Sequence, residues 1–124
     1  MNLNNFIEAE YINLITYKKD KSPVTTPVWV AEFSNSLVVT TSLNAGKVKR
    51  IRNNGKATIY ITNQSGSKKL SEKLDLKASL IEDVDLKKQA TDLIRKKYGV
   101  MAKMIMKGPD EQRAIIKLEE KGGE

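Results

Sequence analysis

The stretch from Lys73 to Glu82 holds the longest clean alternation in the chain. Leu74, Leu76, Ala78 and Leu80 take one side, and Lys73, Asp75, Lys77 and Ser79 the other. Successive side chains of a strand point to opposite faces, so such a segment buries one face and wets the other, as antiparallel sheets do. β-branched, aromatic or alternating runs recur at Tyr11–Tyr17, Val24–Phe33, Leu37–Thr41, Lys56–Asn63 and Arg113–Glu119. In the last of these Ala114, Ile116 and Leu118 share a face. Six strands are therefore expected. Helical spacing appears twice. Ala45, Val48 and Ile51 form one apolar stripe, and Leu86, Ala90, Leu93, Ile94 and the stem of Lys97 form a second. Asp83 or Asp85 is placed to cap the second helix and Gly99 to stop it. Leu3–Glu10 reads as a short helix with Phe6 and Ile7 inward. The fold class is mainly β with two or three helices. An antiparallel sheet of this kind loses its exposed edges by closing into a barrel.

Turns fall where the composition changes. Ser34-Asn35-Ser36 reads as a hairpin turn, Lys107-Gly108-Pro109-Asp110 as a second turn, and Glu120–Glu124 as a frayed tail. Lys18–Ser22 is a polar turn, and Gln64–Ser71 is a loop. Pro27 lies inside an expected strand and lacks a ladder donor. It marks a sheet edge, a bulge or a place where a ligand meets the backbone. Trp29 has two readings, a core residue or part of a site. Met101, Met104 and Met106 fit either core filling or an adaptable binding surface.

The stretch from Thr40 to Asn54 carries the chemistry. A strand ends on Thr40, Thr41 and Ser42. A helix then opens with Ser42 or Asn44 as cap and Gly46-Lys47 in its first turn, and Asn54-Gly55 closes it. Hydroxyls, unpaired first-turn N–H groups and the cations Lys47, Lys49, Arg50 and Arg52 make an anion site, most often one for phosphate. A solvated basic face is the plain alternative. Lys47 opposes the helix dipole, which an anion at that end would relieve.

What the chain lacks narrows the chemistry. It has no histidine and no cysteine. A Ser-His triad, a thiolate nucleophile and histidine or thiolate metal sites are all excluded. A reaction here would be carried by a bound cofactor. No apolar run approaches the length of a membrane span, and Met1–Asn5 lacks the features of a signal peptide, so a cytoplasmic protein is expected. The 124 residues read as one domain. The net charge of +7 favours anionic partners, whether a phosphorylated cofactor or a nucleic acid. Aromatic residues make up only 6% of the chain, few for stacking bases along a groove, which makes nucleic acid the weaker choice.

Thr26-Pro27-Val28-Trp29, then Thr40-Thr41, then Gly46-Lys47-Val48-Lys49-Arg50-Ile51-Arg52-Asn53 resemble, in that order and spacing, the pyridoxamine 5′-phosphate oxidase-like superfamily. More closely they resemble the flavin/deazaflavin oxidoreductases of that superfamily, and Asp92–Tyr98 continues the likeness. The resemblance implies a six-stranded antiparallel split β-barrel that is a homodimer with cofactor sites at the interface. It further implies an FMN or coenzyme F420 cofactor and hydride transfer with a small organic substrate. By the same resemblance Lys47 holds the phosphate, Thr40, Thr41 and Ser42 bond phosphate or ribityl oxygens, and Gly46 permits close backbone approach. Lys49 and Arg50 add cationic contacts, and the backbone of Pro27, Val28 and Trp29 lies beside the ring. Two positions depart from the pattern. Ala45 stands where some relatives have Arg or Ser, and Asn54-Gly55 where they have Asn-Pro. A binding protein without turnover fits the same residues.

Overall fold

The computed structural model describes residues 1–106 and 108–121. Lys107 of the expected turn and residues 122–124 of the expected tail lie outside the described residues. The elements are β1 (Tyr11–Tyr17), β2 (Pro23–Val28), β3 (Ala31–Phe33), β4 (Ser36–Ser42), α1 (Gly46–Asn54), β5 (Lys56–Thr62), β6 (Leu74–Leu80), α2 (Val84–Tyr98), α3 (Val100–Ile105) and β7 (Arg113–Glu119). Short 3-10 turns at Leu3–Phe6 and Asp110–Gln112 precede β1 and β7. One antiparallel sheet runs β2-β1-β5-β6-β7-β4-β3. Its two ends, β2 and β3, are consecutive in the chain and separated only by Trp29 and Val30, so the sheet curls until these ends join at that corner, with no ladder between them among the described residues. This is the antiparallel barrel expected, with seven strands rather than six.

The extra strand comes from a break in the segment expected to run from Val24 to Phe33. At the break the backbone of Val30 leaves the ladder and bonds to side chains of α2. Its N–H donates to the Tyr98 hydroxyl at 2.9 Å, and its carbonyl accepts from Lys97 Nζ at 2.6 Å. The Tyr98 O–H has two acceptors in reach, the carbonyls of Glu10 at 2.7 Å and Val30 at 3.0 Å. Lys97 Nζ also donates to the carbonyls of Ala9 at 2.7 Å and Ile7 at 3.1 Å. The Lys97 stem was expected only to cover apolar surface. Its ammonium instead uses three donor directions on three carbonyls.

Two cores follow from the period of two. Ile12, Leu14, Leu37, Val39, Ile59, Leu76, Ile116 and Leu118 fill the barrel with Phe6. Trp29, Val38 and Ile115 point outward and pack with Ala90, Ile94, Tyr98, Ala102 and Met106 beneath α2 and α3. The Trp29 and Tyr98 rings stack at 4.2 Å with planes 5° apart. Asp83 caps α2 by accepting from the Leu86 N–H, as one of the two expected caps. The buried stripe of α2 is Ala90, Thr91, Ile94 and Tyr98, whereas Leu86 and Leu93 are exposed, contrary to the expected stripe. Ser34 and Asn35 both have positive φ, the twist-matched two-residue hairpin turn. Leu3 and Phe6 are the inward residues of the first turn, while Ile7 is half-buried.

Burial pushes the Tyr98 phenol up to about 12, with Glu10 and Tyr11 adding to the rise and the Val30 backbone bond opposing it. The folded state thus keeps the proton above pH 10, where an unfolded tyrosine loses it. Stability should fall as pH rises from about 10 towards 12, and Tyr98→Phe should abolish that part of the slope. At neutral pH the same variant should lose about 1–3 kcal/mol, because the Val30 N–H is left without an acceptor. Urea unfolding followed by circular dichroism at several pH values measures both.

Candidate functional site

α1 lies against β1 and β6, burying Val48 and Ile51, and Ile51 joins the barrel core. Its polar side reaches the strand ends. Thr41 continues the inward parity of Leu37 and Val39, and Lys47 Nζ donates to its hydroxyl at 3.3 Å. Thr16 continues the inward parity of Ile12 and Leu14, and Arg50 Nε donates to its hydroxyl at 2.7 Å. Lys47 and Arg50 are half-buried, and neither forms an ion pair among the described residues. Burial pushes the Lys47 amine below the ordinary lysine value, and the positive charge of Arg50 pushes it further the same way.

The helix start differs from the expected cap. Ala45 is the N-cap and makes no side-chain bond. Ser42 Oγ accepts from the Asn44 N–H at 3.3 Å instead, in a turn before the helix. Gly46 and Lys47, at the first two helical positions, therefore have N–H groups with neither an intrahelical acceptor nor a side-chain cap. A Cβ on Gly46 would stand 2.8 Å from Arg50 Nη1, so glycine leaves the room that the guanidinium occupies. Gly55, at φ 65°, closes the helix with its N–H on the Ile51 carbonyl, as expected of the Asn-Gly exit.

The other expected residues are placed apart from this group. Thr40 has the opposite parity to Thr41 and accepts from Arg113 Nε at 3.0 Å on the outside of the barrel. Ser42 and Lys49 are exposed. Pro27 is exposed on β2, which pairs only with β1, the edge setting a strand proline requires. Val28 is half-buried against the barrel core, and Trp29 is buried in the outer core. Beside Pro27, opposite it in register, is Asn13. Its Nδ2 donates to Tyr60 Oη and the Gly66 carbonyl, both at 2.9 Å, while its buried Oδ1 has no partner among the described residues. The structure thus groups Thr41, Gly46, Lys47 and Arg50, and it sets Pro27 with Asn13, Tyr60 and Gly66. Thr16, Arg113 and Asn13 were not singled out from sequence. Thr16 could have been found, because it shares the strand parity of two apolar neighbours yet is polar. Arg113 lies 73 positions from its partner and gives no local signal.

A family model described as pyridoxamine 5′-phosphate oxidase matches residues 2–121. The chain belongs to this family. No curated protein matches it. Among solved structures it is similar to HutZ, the heme storage protein from Vibrio cholerae, at 17% identity and a TM-score of 0.72, covering 94% of this chain and 84% of that one. It is also similar to a FAD-binding protein from Mesorhizobium loti, at 12% identity and a TM-score of 0.68 over 96% and 87% of the two chains. A third similar structure is an F420 reductase, at 16% identity and a TM-score of 0.63 over 96% and 93%. These likenesses carry the split-barrel fold. Among the described residues no helix is long and apolar enough to cross a membrane.

An anion beside Lys47 favours its charged form, so inorganic phosphate should move the Lys47 pKa up from its depressed value. Side-chain amine titration by NMR, with and without phosphate, measures this. An unmoved Lys47 would mean that no anion binds at the start of α1.

Proposed function

We propose that this protein is an oxidoreductase that holds a phosphate-bearing flavin-type cofactor, FMN or coenzyme F420, at the start of α1, and that it works on a small organic substrate as a homodimer. The observation that carries the reading is the pair Lys47 and Arg50. These are two half-buried cations without an ion pair among the described residues, set beside hydroxyls and uncapped helix N–H groups. Partly desolvated like charges raise each other's energy, and a phosphate would lower it.

The donor set suits a phosphate. Lys47 and the N–H groups of Gly46 and Lys47 would bond its oxygens, with Arg50 supplying a second positive charge. Thr41 would keep Lys47 aimed. Thr40 is turned to the other face and would contribute only from outside the barrel, with Arg113. Pro27 and Val28, on the edge strand, would flank the ring. Coenzymes of this class supply hydride transfer at their ring, so the protein needs no histidine or cysteine of its own. Family membership and the FAD-binding and F420 reductase neighbours support this class of cofactor.

The first test is a cofactor titration followed by visible absorption. Lys47→Ala should weaken binding of FMN or F420 by about ten- to a hundredfold, the size of one lost charge-assisted bond, with little change in fold stability. Lys96→Ala, a control on the exposed side of α2, should change affinity little. Equal losses in the two variants would reduce the site to a diffuse positive field. Light scattering should show a dimer at micromolar concentration. A monomer would remove the homodimer from the proposal. Consumption of reduced cofactor with candidate substrates separates an enzyme from a binding protein.

A further inference from the structure

A second site lies at the other end of α1. An open cleft of about 550 Å³ is bounded by the end of β1, the Lys18–Ser22 turn, the C-terminal residues of α1, and the facing parts of β5 and β6. The volume suits a small molecule. Among the described residues five lysines line it, Lys18, Lys19, Lys21, Lys56 and Lys121, against a single carboxylate, that of Asp75. The C-terminus of α1 is the negative end of its dipole and attracts no anion, so the lysines set the sign of the cleft.

The wall is built as well as charged. Thr58 is buried, and its Oγ1 donates to Asp75 Oδ1 at 2.7 Å. Thr58 Oγ1 and Tyr17 Oη are 2.6 Å apart. With the threonine proton committed to Asp75, Tyr17 must be the donor in that contact. The Tyr17 oxygen then keeps its lone pairs as an acceptor at the cleft wall, and the Asp75 charge is partly occupied by the chain of hydroxyls. Ala57 and Leu76 add apolar lining.

The turn that delivers the lysines is held against its own preference. Lys21 has φ 73°, a conformation that favours glycine. The left-handed residue is fixed by Lys21 N–H on the Lys18 carbonyl at 2.8 Å and Lys18 N–H on the Ser22 carbonyl at 2.9 Å. Asp20 accepts from both the N–H and the hydroxyl of Ser22, which holds its carboxyl below the usual range. A lysine in a glycine's conformation puts a cation on the cleft rim at the expense of backbone ease.

We propose that this cleft binds a phosphorylated small molecule whose body carries a hydroxyl or amino donor, a nucleoside diphosphate in size and charge. Its phosphates meet Lys18, Lys21 and Lys56, and its donor reaches the Tyr17 oxygen. The site is separate from the one proposed at the start of α1 and does not depend on it.

Isothermal titration of the full-length protein with ADP and with inorganic pyrophosphate tests this. ADP should bind saturably at this cleft. Lys21→Gly should weaken both ligands about tenfold, yet melt no lower than the parent, because glycine accepts that φ without strain. Tyr17→Phe should weaken ADP several-fold and leave pyrophosphate unchanged. Lys47→Ala should leave the Lys21-sensitive binding intact. The proposal is overturned if ADP shows no saturable binding, or if Lys96→Ala weakens it as much as Lys21→Gly. It is overturned too if Lys47→Ala abolishes the binding and Lys21→Gly does not. Lys21-sensitive binding of a single-stranded oligonucleotide without ADP binding would assign the cleft to nucleic acid and also overturn it.

Discussion

The barrel depends on one seam. A sheet whose first and last strands are consecutive in the chain must turn a corner between them, and at that corner the backbone cannot serve both neighbours. Val30 resolves this by leaving the ladder and bonding to Tyr98 and Lys97. Buried peptide groups without partners are costly, so these two side chains of α2 take the place of a neighbouring strand. The same two residues hold the carbonyls of Ile7, Ala9 and Glu10, which ties the N-terminal segment to the corner. Secondary structure, barrel closure and the docking of α2 are therefore set by one cluster of polar contacts beneath a stacked aromatic pair.

Closing the barrel fixes where the cations go. With Ile51 in the barrel core, α1 turns Lys47 and Arg50 towards the inward-facing Thr41 and Thr16. Asn53 and Asn54, at the other end, border a cleft of lysines. A nine-residue helix is too short for its ends to be electrostatically independent at low salt, and each end meets cations from other elements. The excess of basic residues is thus concentrated at both ends of one helix as well as on solvated faces.

Period two made most of the strands legible, because each buries one or both faces in a predictable order. The alternation from Leu74 to Leu80 and the run from Tyr11 to Tyr17 appear at the expected places. The break at Trp29-Val30 was not legible, since its cause lies in residues almost seventy positions away. Helix starts were read partly. Asp83 caps as its chemistry suggests, but Ser42 spends its oxygen on a preceding turn, and the helix begins after Ala45 without a side-chain cap. For the site, sequence order placed Gly46, Lys47 and Thr41 in one neighbourhood. It overlooked that adjacent threonines on a strand face opposite ways, which sends Thr40 to Arg113. Leu86 and Leu93 show the limit of helical spacing, because α2 rests on its Ala90, Ile94 and Tyr98 stripe and leaves those leucines exposed.

The stacked pair has an optical consequence. Trp29 is the only tryptophan in the chain, and it sits on the corner where the two ends of the sheet are joined. Its emission is therefore a local gauge of the seam, not an average over the molecule. An indole lying flat on a phenol ring, screened from water, reports whether α2 is seated. Opening of the corner would register as a change of colour and polarisation even where the strands on either side kept their pairing.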